Sequence, residues 1–254
     1  MNSNKKRVLA LSAVAILAAI AILSGSLAYF TDTDKAKNTF VVGKDVSVTQ
    51  EEKERDDNGN LVDFTQNKTL IPVTDNVPDK SNSDDLVSDV KNYVDKIVYV
   101  RNNSETKTYV RTFIAVPKEL VSDANYKLLH FDSNVSKWNF NGYVTYDTTI
   151  NGVVYSVYVA TYADAVSKDM RTDYVLKGVY LDKAVDVNEE GNLIYADLSN
   201  PGASALVTTG FKATDKINVY VASQAVQSEG FDNATQALNS AFGVPSSANL
   251  PAFE

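Results

Sequence analysis

Cysteine is absent from the 254 residues, and histidine and tryptophan occur once each. Without thiols there is no disulfide framework, so the fold must be held by its own core. A zinc site would have to rest on His130 and several carboxylates, whereas zinc in proteins usually gathers more nitrogen or sulfur ligands. No HExxH motif occurs, and no serine stands in a GxSxG elbow. The 32 acidic residues single out no carboxylate pair for glycosidase chemistry. Cations are also scarce, with 24 Lys and Arg giving a formal charge of −8. That balance argues against nucleic acid and anionic membrane surfaces as partners.

Long apolar runs are missing too, with one exception at the N-terminus. Lys5, Lys6 and Arg7 precede an almost unbroken apolar run from Val8 to Leu23. The run is short of the roughly 20 residues of a membrane span, which fits a signal peptide better than a retained anchor. Ser26 and Ala28 supply the small side chains that a signal peptidase accepts at the minus-three and minus-one positions, so cleavage is expected between Ala28 and Tyr29. Loss of residues 1–28 removes three cations and no anions, leaving a formal charge of −11. Export without cysteine fits a Gram-positive type of exporter. The end at Leu250-Pro251-Ala252-Phe253-Glu254 carries no apolar tail or sorting motif, so retention at a cell surface is expected to come from contacts.

The remaining chain has the length of one large β-domain. Asp95–Arg101 and Thr108–Val116 alternate like strands, and Asn102-Asn103-Ser104-Glu105-Thr106 between them has turn chemistry, so a hairpin is expected. A second hairpin is expected from Gly142–Asp147 and Val153–Tyr162, because Asn151-Gly152 is the pair that a tight primed turn prefers. Val153–Ala160 is uncharged and β-prone, and is expected at the centre of a sheet. Further strands are expected at Asp173–Leu181, Leu193–Ala196 and Ile217–Ser223. The best helix signal is Phe231–Phe242, with Asp232 as N-cap and Gly243 at the end; Asp84–Tyr93 and Pro117–Ala124 are weaker ones. The charged Gln50–Asn60 and polar Thr74–Asp85 stretches read as mobile surface loops.

Asp56-Asp57-Asn58-Gly59-Asn60 alternates oxygen ligands, but its glycine is misplaced for an EF-hand loop and no acidic twelfth position follows. The Asn-Gly pair reads as a turn. Asp32 and Asp34 read as solvated flank. His130, between Leu129 and Phe131, reads as a packed strand histidine. Trp138 with Tyr143 and Tyr146 is either a sugar-stacking platform or part of a sandwich core, and core packing is the commoner use of large aromatics.

Leu27-Ala28-Tyr29-Phe30-Thr31-Asp32-Thr33-Asp34, then Ala36, Asn38-Thr39-Phe40 and Val42-Gly43, resembles the start of the TasA and camelysin family. Weaker echoes are Val98–Ser104 with Tyr109-Val110-Arg111, and Ala222–Phe231. Lys44–Asn92 and Leu120–Lys216 carry no resemblance of this kind. The likeness implies a mainly β protein, a jelly-roll-like β-sandwich with a few short helices, exported through a SipW-type signal peptidase. The implied organisation is a signal peptide over 1–28, a mobile N-terminal donor strand over 29–48 and a single domain over 49–254. It implies a secreted subunit of biofilm matrix or cell-surface fibres, with no cofactor and with contact to a membrane only before cleavage. The implied partners are further copies of the chain and accessory fibre or matrix proteins. Each copy would add its N-terminal strand to the sheet of the next, through Phe30, Thr39, Phe40, Val41, Val42 and Gly43; the alternative is that Thr39–Val48 pairs within its own subunit as a first strand. A monomeric adhesin or carbohydrate-binding module remains as an alternative, and a camelysin-like metallopeptidase as a weaker one that the residue content does not favour.

Overall fold

The computed structural model describes residues 31–35, 41–42, 46–87 and 89–253. The chain is mainly β, in antiparallel sheets, with one α-helix among the described residues. The first sheet contains β1 (Thr31–Lys35), β2 (Val41–Val42), β6 (Thr108–Pro117), β8 (Trp138–Asn139), β10 (Val153–Tyr162) and β15 (Tyr220–Gln227). They run in the order β2-β1-β15-β6-β10-β8, with β9 (Thr145–Ile150) also paired to β10. The second sheet runs β4 (Leu61–Asp63), β3 (Val48–Arg55), β5 (Val94–Asn102), β11 (Leu176–Leu181) and β7 (Leu129–Ser133). A smaller sheet joins β12 (Val185–Val187), β13 (Asn192–Tyr195) and β14 (Val207–Lys212).

One apolar cluster binds the sheets together. Ile114, Tyr158 and Ala225 of the first sheet pack with Val48, Val98 and Leu176 of the second and Leu193 of the third, all nearly or wholly buried. Such an arrangement is consistent with a β-sandwich. The first sheet is buried on its other face as well: Phe113, Ala115 and Val157 lie under Leu250 and Phe253 of the C-terminal segment. Burial on both faces fits the unbroken apolar run Phe113–Pro117 at the end of β6.

The helix α1 (Ala234–Phe242) lays Ala234, Ala237 and Leu238 against Val226. Its N-cap is Asn233, whose side chain accepts from the Gln236 N–H, one residue beyond the expected Asp232. The buried Arg111 guanidinium holds the other end, donating to Asn239 Oδ1 and the Gly243 carbonyl and also to Gln224 Oε1. A cation at the carboxyl end of a helix is favoured by the backbone dipole. Burial nevertheless lowers the Arg111 pKa to about 10.

The β9–β10 hairpin forms, though its first strand is Thr145–Ile150 rather than Gly142–Asp147, since Asn141–Tyr143 is a 3-10 turn; Asn151 and Gly152 are both at positive φ, as a type I′ turn requires. Val153–Ala160 is indeed interior, flanked by β6 and β9. The expected hairpin of β5 and β6 does not form, because the two strands belong to different sheets. The chain crosses over at a buried corner. Asn102 Nδ2 donates to the Thr106 and Val166 carbonyls, its Oδ1 accepts from the Ser104 N–H, and Ser104 Oγ accepts from the Ser47 N–H. Those bonds fasten the turn to the approach to β3 rather than letting it close on itself.

The run expected to be a loop from Gln50 is largely strand β3, whose charges are matched by neighbours: Arg101 to Glu51 at 2.5 Å, Lys96 to Glu52 at 2.6 Å and Arg55 to Asp95 at 2.6 Å. Residues 56–60 are a turn, in which Asp56 Oδ1 accepts the Asn58 and Asn60 N–H groups. The stretch Thr74–Asp85 does lack regular strands, but it is anchored: the buried Lys177 ammonium of β11 donates to the Lys80 and Ser83 carbonyls. No helix forms near Asp84–Tyr93 in the described residues, and Pro117–Ala124 holds only a 3-10 turn at Lys118–Leu120. In β11, Gly178 lies under the Tyr93 ring, where a Cβ atom would come 2.4 Å from Tyr93 Cε1.

Candidate functional site

A sheet edge is functional when it is long, uncharged and ready to pair, because its free N–H and C=O groups template another strand. Strand β15, Tyr-Val-Ala-Ser-Gln-Ala-Val-Gln, has no charge and no proline. One side is fixed to β6 over eight residue pairs, from Tyr220 opposite Ala115 to Gln227 opposite Thr108. From the second sheet, Gln50 Nε2 donates to the Val221 carbonyl at 3.2 Å, and Gln50 Oε1 accepts from Ser223 Oγ at 3.0 Å. Ser223 Oγ also lies 3.0 Å from Thr112 Oγ1. On the helix side, Gln224 accepts from Arg111. The strand is therefore rigid before anything joins its remaining edge.

That edge carries β1. Thr31 lies opposite Val226, Asp32 opposite Ala225, Thr33 opposite Gln224, Asp34 opposite Ser223 and Lys35 opposite Ala222, all antiparallel. Val42 and Val41 of β2 then lie opposite Thr31 and Asp32. The two aspartates read as solvated flank thus belong to a ladder. Thr31–Lys35, within the segment expected to be offered to a neighbour, pairs here with its own chain. Among the expected donor residues, Val41 and Val42 form β2, whereas Phe30, Thr39, Phe40 and Gly43 lie outside the described residues, as do Ser26, Ala28 and Tyr29 of the cleavage site. Val46 and Val48, at the end of the same expected segment, are buried in the main core.

The other candidates are packed groups. Trp138 is 1 % exposed; its Nε1 donates to the Asp173 carbonyl at 3.1 Å and its ring meets Tyr162 at 5.0 Å. It offers no face to a sugar. His130 stacks on Tyr180 with centroids 5.0 Å apart, and its Nε2 lies 3.2 Å from an Asp182 oxygen. Burial lowers its pKa below the ordinary 6.5, against the opposite pull of Asp182. In the same region burial raises the carboxyl pKa of Asp132 and pushes the Tyr180 hydroxyl up to about 12. The strand-edge site had one signal in the sequence, the uncharged Tyr220–Gln227 run, but which strands cover its two edges depends on long-range pairing. No protein-family model, curated protein or solved structure matches this chain.

Proposed function

We propose that this chain is a secreted structural subunit of extracellular fibres, with a jelly-roll-like sandwich as its body. After removal of residues 1–28, it would polymerise head-to-tail by exchanging its N-terminal strand. The supporting observation is the β1–β15 ladder, in which a short terminal strand covers an uncharged, preorganised edge. The same ladder formed between copies would use the same main-chain hydrogen bonds, so exchange conserves most of the bonding while adding connectivity. Because donor and acceptor are different parts of the chain, each addition exposes a new edge and growth stays open-ended. A terminal strand is also the element most readily exchanged. The buried Trp138 supports this reading over a sugar-binding module built on that residue.

Two processed forms test it under negative-stain microscopy, one beginning at Tyr29 and one at Val46. The second keeps the buried Val46 and Val48 and loses β1 and β2. Filaments from the first and monomers from the second are expected, with a synthetic peptide of residues 29–43 binding the second one-to-one. Filaments from both would overturn strand exchange.

A further inference from the structure

A cavity of about 630 Å³ opens at one end of the core, between the inner face of the second sheet and the chain leading into β15. This volume falls within the roughly 300–1,000 Å³ of small-molecule sites. Its walls come from elements distant in sequence: Phe64, Leu70 and Ile71 from the loop after β4, Val179 and Leu181 from β11, and Val219 from the approach to β15. Val185 and Leu193 of the small sheet and Phe253 of the C-terminal segment extend them.

Two polar features break this apolar lining. On β5 the Lys96 ammonium, in a residue only 6 % exposed, pairs with Glu52 at 2.6 Å and lies 4.5 Å from the Phe64 ring centroid. At the rim are the exposed Lys68, Lys212 and Lys216, with Asp186 and Asp215. Both aspartates accept backbone N–H groups, from Val187 and Lys212 respectively, and Lys68 pairs with Glu54. Lys216 has no ion pair among the described residues, so the rim offers a cation in a chain of net charge −8. The cavity is lined mostly by apolar side chains from elements distant in sequence. It suits a ligand held by apolar contact along its body and by charge at one end.

We propose that this cavity binds an anionic amphiphile, a long-chain carboxylate whose hydrocarbon body lies between the sheets and whose head meets Lys212 and Lys216 at the mouth. The site touches β15 at Tyr220 and Val221, outside the residues paired with β1, and does not depend on fibre formation. The test uses the processed protein beginning at Tyr29, which contains every described element. Fluorescence of cis-parinaric acid is expected to rise saturably and one-to-one, with dodecanoate displacing the probe better than dodecyltrimethylammonium does. Val187→Trp, at an exposed position of the cavity lining, is expected to weaken probe binding about tenfold or more with an unchanged melting temperature. The double variant Lys212→Glu with Lys216→Glu, on the exposed rim, is expected to weaken dodecanoate several-fold and leave dodecanol unaffected. Absence of saturable binding overturns the proposal. So does equal competition by the cationic amphiphile, or dodecanoate affinity unchanged in the rim variant.

Discussion

Strands β3 and β15 meet through Gln50, yet they manage their outer edges by opposite means. In β3, Glu51, Glu52, Lys53, Glu54 and Arg55 follow one another; Lys53–Arg55 pair outward with β4, and the Glu52 carbonyl accepts from the Phe64 N–H just beyond it. Charge and the short β4 together guard the second half of that edge, since an incoming strand would have to desolvate the one and displace the other. In β15 no residue is charged, and protection comes from β1 laid along it. Protection by charge is permanent, whereas protection by a terminal strand can be exchanged. On the proposed function, this difference would put assembly at β15 rather than at β3.

The largest effect on this contrast is expected from the charged side. Lys96→Met leaves Glu52 buried without its cation and should cost about 3–5 kcal/mol, read from urea unfolding. Adding Glu52→Gln should recover much of that loss, and no recovery would mean that packing, not charge, is what Lys96 supplies. Next comes the bridge between the two strands. Gln50→Leu strips the Val221 carbonyl and Ser223 hydroxyl of a partner, for about 1–3 kcal/mol, and should also loosen hydrogen-exchange protection along β15. A smaller effect is expected from Arg101→Ala, whose partner Glu51 is reached from a half-exposed position; about 0.5 kcal/mol or less, shrinking in high salt, would place this pair with ordinary surface pairs.

The gentlest probe is pH. His130 lies on β7, at the far edge of the charged sheet, with its pKa lowered by burial. Above pH 6.5 the imidazole is neutral in both states and contributes nothing to the pH dependence. As pH falls below 6.5 the unfolded chain takes up the proton first, so stability declines until the folded pKa is passed. The raised pKa of Asp132 acts in the opposite sense, nearer to the ordinary carboxyl range. Urea midpoints at pH 7.5 and 5.5 should therefore differ in the native chain and draw closer in His130→Gln.

Local chemistry made some elements readable. Asn151-Gly152 dictates its own turn, and the apolar stripe ending at Gly243 dictates α1. Where the outcome depends on a distant partner, local reading fails for a definable reason. The residues 102–106 have ordinary turn chemistry, but Asn102 spends its side chain on Thr106 and Val166, turning a hairpin into a crossover between sheets. The charges of β3 look like solvent-facing loop until Lys96, Arg101 and Asp95 are seen to answer them. For the site, the absence of charge in Tyr220–Gln227 was visible, but its neighbours β6 and β1 were not, because both pairings span long stretches of chain.

Gly178 and Tyr93 occupy one volume shared between two positions 85 residues apart in sequence. At 178 a methyl group can be admitted only if the ring at 93 shrinks or swings away. Relatives that keep this sheet should therefore inherit the two positions as a linked pair: glycine with tyrosine, or a larger residue with a smaller one. Such paired drift would recognise the fold in sequences too divergent to align by their N-terminal segments.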